Sequence, residues 1–226
     1  MLHAINAGKA SLEKVLGEEA VRHPREDLIT SALFGTLDFL TPAARRTALR
    51  LLTGWNGNGE PEIYLWPQFK IDGHRVEPDV LVLERTAEAA QRFWIVEVKW
   101  GAPLGDEQIS REIRAVRNGF PLRRLPTSLP SKNRTVSGYT LLGAEKSHTG
   151  AFQSATRLAE NAGINLRSDT WKSVRERLSS INSDDYSLNQ WIEVTHQFLS
   201  ETSKGAGLGR WPALIGVPPS AIMYSI

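Results

Sequence analysis

Two apolar runs of strand character, separated by a short polar gap, constrain this chain more than any other feature. The first is Val76-Glu77-Pro78-Asp79-Val80-Leu81-Val82-Leu83, and the second is Phe93-Trp94-Ile95-Val96-Glu97-Val98-Lys99-Trp100. Runs this rich in Val, Ile and Leu belong inside a sheet, where charge is costly. Yet Asp79, Glu97 and Lys99 sit within them. Successive side chains on a strand point to opposite faces, so Glu97 and Lys99 share one face while Val96 and Val98 share the other. An antiparallel neighbour carrying Asp79 then brings two carboxylates and one ammonium together. A Mg²⁺ ion suits such a set, because it prefers oxygen ligands and takes one or two carboxylates with water and substrate phosphate. The backbone carbonyl of Val98 adds a third oxygen, and Glu77, on the face of Asp79, is a reserve ligand. Lys99 is placed to orient an attacking water or to stabilise the developing anion. The competing reading is an ordinary Glu97–Lys99 ion pair on a half-exposed strand, with Asp79 closing a turn after Pro78.

Pro78-Asp79 followed by Glu97-Val98-Lys99 resembles the PD-(D/E)xK nuclease superfamily, which includes restriction endonucleases and Holliday-junction resolvases. The resemblance covers the middle of the chain, from about Pro61 to Leu142, and no metal-ligand position of the motif is replaced. It implies a restriction-endonuclease-like α/β core, α-β-β-β-α-β with a mixed central sheet flanked by helices. It also implies Mg²⁺-dependent phosphodiester hydrolysis with nucleic acid as substrate, which we read as DNA, with Mn²⁺ as a substitute ion. Asp79 and Glu97 match the metal-binding acids, and Lys99 the catalytic lysine. Glu26 is similar to an additional acid on the first core helix of many members, although an acid in a first turn also complements the helix dipole. Gln108 is similar to a glutamine that faces the site from the helix after the E-x-K strand; its other reading is an exposed polar helix residue. The alternative function is a catalytically silent protein of this fold that binds nucleic acid or a partner.

The rest of the chain is read from its pattern. Ser11–Ala20 predicts a short helix. Pro24 opens a second, in which Ile29, Leu33, Leu37 and Leu40 recur at helical spacing through Leu40, with Glu26 on the same side. Thr41-Pro42 starts another helix, Ala43–Leu52. Ile63–Ile71 and Arg75–Leu83 predict a hairpin about Asp72-Gly73, with Asp79 on its second strand. Thr86–Gln91 is a polar connection. Ile109, Ile113, Val116 and Phe120 form one helical stripe, with Glu107, Arg111 and Arg114 opposite and Gln108 on a flank beside Glu112. Pro121–Asn133 reads as a loop, Val136–Gly143 as a fourth core strand and Phe152–Ala162 as a helix. Thr170–Ile181 and Leu188–Leu199 read as helices with the stripes Trp171, Val174, Leu178 and Trp191, Val194, Phe198. Ser203–Gly209 reads as a linker and Trp211–Ile226 as a docking tail. Two segments follow: a core over residues 1–164 and a helical extension over 165–226. The extension packs on the core, or offers a surface to a second copy or a partner protein.

Charge adds one clue. The net charge of the 226 residues is only +2. Between Arg111 and Arg134, however, Arg111, Arg114, Arg117, Arg123, Arg124, Lys132 and Arg134 face a single acid, Glu112. Clustered basic charge just after the acids is the footprint of a phosphate backbone, or else a solvated face. The chain has no cysteine, which removes disulfides, thiolate zinc sites and cysteine nucleophiles and is in keeping with a cytoplasmic protein. The five histidines lack metal-ligand spacing. No apolar run has the length of a membrane span, so no membrane partner is expected.

Overall fold

The computed structural model describes residues 9, 26–85, 91–100, 104–126, 129, 134–143 and 150–204. The helix expected over Ser11–Ala20, Pro24, the gap over residues 86–90, Lys132 and the tail beyond residue 204 lie outside them, as do His3, His23 and His148.

Among the described residues two helices come first, α1 (Glu26–Phe34) and α2 (Pro42–Thr53), joined through a 3₁₀ turn at Leu37–Phe39. The start of α2 follows from Thr41-Pro42. Thr41 Oγ1 accepts a hydrogen bond from the Ala44 amide at 3.2 Å, and proline fills the first turn, where its missing N–H costs nothing. Gly54 ends the helix at φ 68°, a left-handed position that suits glycine.

The predicted hairpin forms, but it is bent into two sheets. β1 (Glu60–Leu65) pairs with β4 (Val80–Arg85), and β2 (Gln68–Ile71) pairs with β3 (His74–Val76) across the Asp72-Gly73 turn. The bend falls at Trp66-Pro67 on one arm and Glu77-Pro78-Asp79 on the other. Proline gives a ladder no donor, so both arms lose pairing at the same level. Trp66, at φ 49°, donates its amide to the Asp79 carbonyl at 2.9 Å and ties the bend. Continuous strands over Ile63–Ile71 and Arg75–Leu83 are therefore corrected to four shorter ones, and Asp79 stands just before β4 rather than within a strand.

The remaining elements are β5 (Gln91–Val98), α3 (Gln108–Asn118), β6 (Phe120–Arg123), β7 (Thr135–Leu142), α4 (Gly150–Asn161), β8 (Asn165–Asp169), α5 (Trp171–Ser179) and α6 (Tyr186–Lys204). The central sheet runs β1-β4-β5-β7-β8. Its β1/β4 and β4/β5 pairs are antiparallel, and its β5/β7 and β7/β8 pairs are parallel. A small sheet runs β3-β2-β6. The protein is thus mixed α/β, with a mixed central sheet flanked by helices.

Alternation along β4 and β5 divides two cores. Val80, Val82, Trp94, Val96 and Val98 face α1, α2, α5 and α6. Leu81, Leu83, Phe93 and Ile95 face α3 and α4. Gly138 in β7 lets the Trp94 ring lie flat on the strand, since a Cβ there would come within 2.2 Å of it.

Two expectations are revised. Phe120 leaves the helical stripe, is 61% exposed and opens β6, so the loop expected from Pro121 begins as an edge strand. Val194 is exposed, and α6 packs instead through Leu188, Trp191, Ile192 and Leu199. The boundary at residue 164 falls just ahead of β8, the fifth strand of the central sheet, and α5 and α6 join the same core as α1 and α2. The residues read as an extension complete the sheet and one of its helical layers.

Candidate functional site

The site forms where β4 and β5 stop pairing. Their ladder ends at Val80↔Val96. Beyond it the Val98 amide has no strand partner on the β4 side, and Asp79 Oδ2 accepts it instead at 2.9 Å. On the other side the Lys99 amide continues the sheet by donating to the Leu142 carbonyl at 2.9 Å. Glu97, 4% exposed, projects onto the α3 face. Its Oε1 receives both the Lys99 ammonium at 2.7 Å and the Gln108 amide Nε2 at 2.5 Å. Glu26, first residue of α1, accepts the Trp100 amide on Oε1 at 2.6 Å. The five predicted site side chains, Glu26, Asp79, Glu97, Lys99 and Gln108, are thus brought to one end of the sheet. Val98 lies between the acid and the lysine and gives its amide to Asp79.

Burial pushes the Asp79 carboxyl well above its usual range; the charge of Glu97 adds to this, and the Val98 amide and Lys99 oppose it. For Lys99, burial works against the charge, but Glu97, Glu26 and Asp79 outweigh it and hold the ammonium more firmly than usual.

Two members of this cluster carry no mark in the E-x-K motif. Glu112, one turn along α3 from Gln108, is buried, and its Oε1 accepts the Gln108 amide at 2.9 Å. The Tyr139 hydroxyl donates to Glu112 Oε2 at 2.8 Å from β7. Burial, then the charge of Glu97, lifts the Glu112 carboxyl well above its usual range. The signal available in the sequence was spacing: Glu112 falls three residues after Ile109 and one before Ile113, on the inward side of the helix.

Gly143 and Trp171 close the lysine side. Trp171 Nε1 donates to the Lys99 carbonyl at 3.1 Å, and its ring lies 5.2 Å from that of Trp100. Gly143 stands at φ 100°, where a Cβ would approach the Lys99 carbonyl oxygen to 2.1 Å.

The basic cluster divides. Arg111, Arg114 and Arg117 are exposed along the outer face of α3, and Arg123 is exposed on β6. Arg124 is half-buried at the bend, donating to the Trp66 carbonyl at 3.2 Å and lying 3.9 Å from Glu77. Arg134 is corrected. It is 3% exposed, donates to the carbonyls of Val116 at 2.8 Å and Gly119 at 3.0 Å, and stacks over Phe69 at 5.4 Å. It closes the end of α3, where helical carbonyls lack partners. Glu77 is corrected too, because its carboxylate is taken by Lys9 and Gln68. A cavity of about 470 Å³ near the bend, lined by Phe34, Asp38, Ile63, Trp66 and Arg124, includes none of the five site residues.

Among the described residues no group of three or more His, Cys, Asp or Glu side chains is arranged to hold an ion. The arrangement is a two-carboxylate one. Asp79 commits Oδ2 to Val98, and Glu97 commits Oε1 to Lys99 and Gln108. Oδ1 of the first and Oε2 of the second have no partner among the described residues. Glu26, Asp79 and Glu97 act together on the one ammonium of Lys99, and burial first, then the charge of Glu97, raises the carboxyls of Asp79 and Glu112. This donor set fits a hard divalent cation that keeps part of its water shell.

Among the described residues no helix is long and apolar enough to cross a membrane. No protein-family model, no curated protein and no solved structure matches the chain.

Proposed function

We propose that this chain is a metal-dependent nuclease that hydrolyses phosphodiester bonds, with DNA as the substrate. The observation that carries the reading is the meeting of Asp79, Glu97 and Lys99 at one sheet end, with one oxygen of each carboxylate left uncommitted among the described residues. Asp79 and Glu97 would hold a Mg²⁺ ion, with Mn²⁺ as a substitute. Such an ion activates water and offsets charge on the scissile phosphate. Lys99 supplies a fixed positive charge beside the phosphoryl oxygens, and Glu97 keeps that charge in place through the 2.7 Å pair. Glu26 fixes the chain just past Lys99 through the Trp100 amide. The exposed arginines of α3 and Arg123 offer the duplex backbone a positive surface. We read the core as restriction-endonuclease-like. That reading is supported by the succession of helix, three antiparallel strands of the central sheet, α3, and a strand parallel to the third.

The test is cleavage of linear, supercoiled and single-stranded DNA with Mg²⁺, Mn²⁺ or EDTA by the wild type, Asp79→Ala and Lys99→Ala. The expected result is metal-dependent cutting that falls by at least about 10²-fold in each variant, with the variants folded and still bound to DNA. Equal cutting by wild type and Asp79→Ala would refute the assignment of the site. Absence of cutting by folded wild type on every substrate would refute the nuclease and favour a binding protein.

A further inference from the structure

We propose that Glu112 and Tyr139 form a buried brace that acts through Gln108 to orient the Glu97 carboxylate, turning Oε1 to the interior and leaving Oε2 for a divalent cation. The inference rests on the reading of Asp79 and Glu97 as cation ligands. It concerns residues from two other elements that the E-x-K motif does not contain.

The chain of contacts is continuous. Tyr139 Oη donates to Glu112 Oε2 at 2.8 Å, Gln108 Nε2 donates to Glu112 Oε1 at 2.9 Å, and the same Nε2 donates to Glu97 Oε1 at 2.5 Å. The other end of the Gln108 amide is fixed as well, because its Oε1 accepts the Gly105 amide at 3.2 Å. Three partners therefore define the plane of the amide. Tyr139 is fully buried and Glu112 nearly so, and each comes from a rigid element, β7 and α3. The contact of the pair with Glu97 runs through Gln108, so both are positioning residues.

Burying the Glu112 carboxyl carries a desolvation cost. Glu112 is a carboxyl placed in an apolar core among Ile109, Ile113 and Val116, close to a second buried acid. A buried polar group placed this way destabilises a core unless it is hydrogen-bonded, and each of its oxygens accepts one bond here. Residues that orient metal ligands from behind are commonly worth about 10- to 100-fold in metal affinity.

The experiment is calorimetric titration of the metal-free protein with Mn²⁺. It compares wild type with Tyr139→Phe, Glu112→Leu, Glu112→Gln and Asp79→Ala, with melting temperature and the NMR signals of the Gln108 side-chain amide as second readouts. Glu112→Leu is expected to weaken Mn²⁺ by about 10-fold or more, and the melting temperature reports separately the cost of leaving the Tyr139 and Gln108 donors unpaired. Tyr139→Phe, which keeps the ring and its packing, should weaken it in the same direction. Glu112→Gln retains an acceptor for Gln108 and should recover most of the affinity. In the wild type the Gln108 amide protons should be shifted and slow to exchange, and Glu112→Leu should remove both properties. Raising Mn²⁺ to saturation should restore the cleavage rate of Tyr139→Phe, a change in metal requirement rather than in turnover. Mn²⁺ binding by Glu112→Leu and Tyr139→Phe within twofold of wild type would overturn the brace while leaving the cation site intact. Failure of the wild type to bind Mn²⁺, or undiminished binding by Asp79→Ala, would overturn the cation site itself and the inference with it.

Discussion

Arg134→Met separates two roles that look alike in the sequence. As a contact to nucleic acid, Arg134 would matter for affinity and its salt dependence. As the residue that closes α3, it matters for stability. Its guanidinium meets two carbonyls, at 2.8 and 3.0 Å, and the Phe69 ring at 5.4 Å, at 3% exposure. Hydrogen bonds from a charged donor are worth about 1.5–3 kcal/mol each. A partly desolvated cation over an aromatic ring adds about 1 kcal/mol. Against these stands the desolvation of the guanidinium, which burial makes easier than usual to deprotonate. Methionine fills much of the volume and keeps the apolar packing. The difference leaves a loss of about 2–4 kcal/mol. For a chain of this size that is a fall of roughly 4–16 °C in Tm. Chemical denaturation and scanning calorimetry measure it, and DNA binding followed from 50 to 200 mM salt measures the other role. An unchanged Tm together with a salt slope smaller by about one would refute the reasoning, because it would put the guanidinium on phosphate.

The outer face of α3 predicts the opposite pattern. Arg111→Ala, Arg114→Ala and Arg117→Ala combined should leave Tm within a few degrees and lower the salt slope of DNA binding by about 0.9 for each phosphate no longer neutralised by a guanidinium, read from the same titrations. Gly143→Ala should cost about 2–5 kcal/mol in denaturant melts. The residue stands at φ 100°, its new methyl would meet the Lys99 carbonyl, and the Trp171–Lys99 bond would be displaced. A melt unchanged within 0.5 kcal/mol would contradict the strain argument. The pH dependence follows from Glu112, whose carboxyl is raised above its ordinary value of 4.5 by burial and by Glu97. The folded state then holds its proton more tightly than the unfolded chain. The contribution of Glu112 to stability is therefore complete below about pH 4.5 and is lost as pH rises through the raised value. Metal-free wild type should lose stability over that range, and Glu112→Gln should flatten the fall; equal slopes for the two proteins would contradict it.

How far the sequence reaches depends on which interaction decides each element. Asp79, Glu97 and Lys99 were legible because charge inside apolar runs has few explanations, and strand alternation alone puts Glu97 and Lys99 on one face. The α3 stripe was legible as far as Val116 and failed at Phe120, because Gly119 ends the helix and frees the next residues to pair with β2. The bend of the hairpin was not read from the sequence, although Pro67 and Pro78 each withhold a donor there. Its consequence, two sheets in place of one, depends on β5 and β6 arriving from elsewhere in the chain. β8 was missed for a different reason. Asn165-Leu166-Arg167-Ser168-Asp169 has almost no apolar content, and its place in the sheet comes from ladder bonds to β7 and from Asp169 pairing with Arg167 and Arg177. Arg134 was misread because a count of basic residues does not tell a guanidinium in water from one buried against helical carbonyls. Glu112 and Tyr139 were invisible as a pair, since their hydrogen bond joins residues 27 apart in the chain.

The bond from the Val98 amide to Asp79 Oδ2 makes one backbone hydrogen a witness to a side chain. Amides earlier in β5 are held by neighbouring strands and exchange with solvent only when the sheet opens. The Val98 hydrogen is held by a carboxylate that turns about its own two bonds, so its exchange is timed by the motion of Asp79 and not by the parting of strands. The order of the acid is thereby written into the kinetics of a peptide group midway between Glu97 and Lys99, where it is read without substrate, cleavage or a substitution at the site.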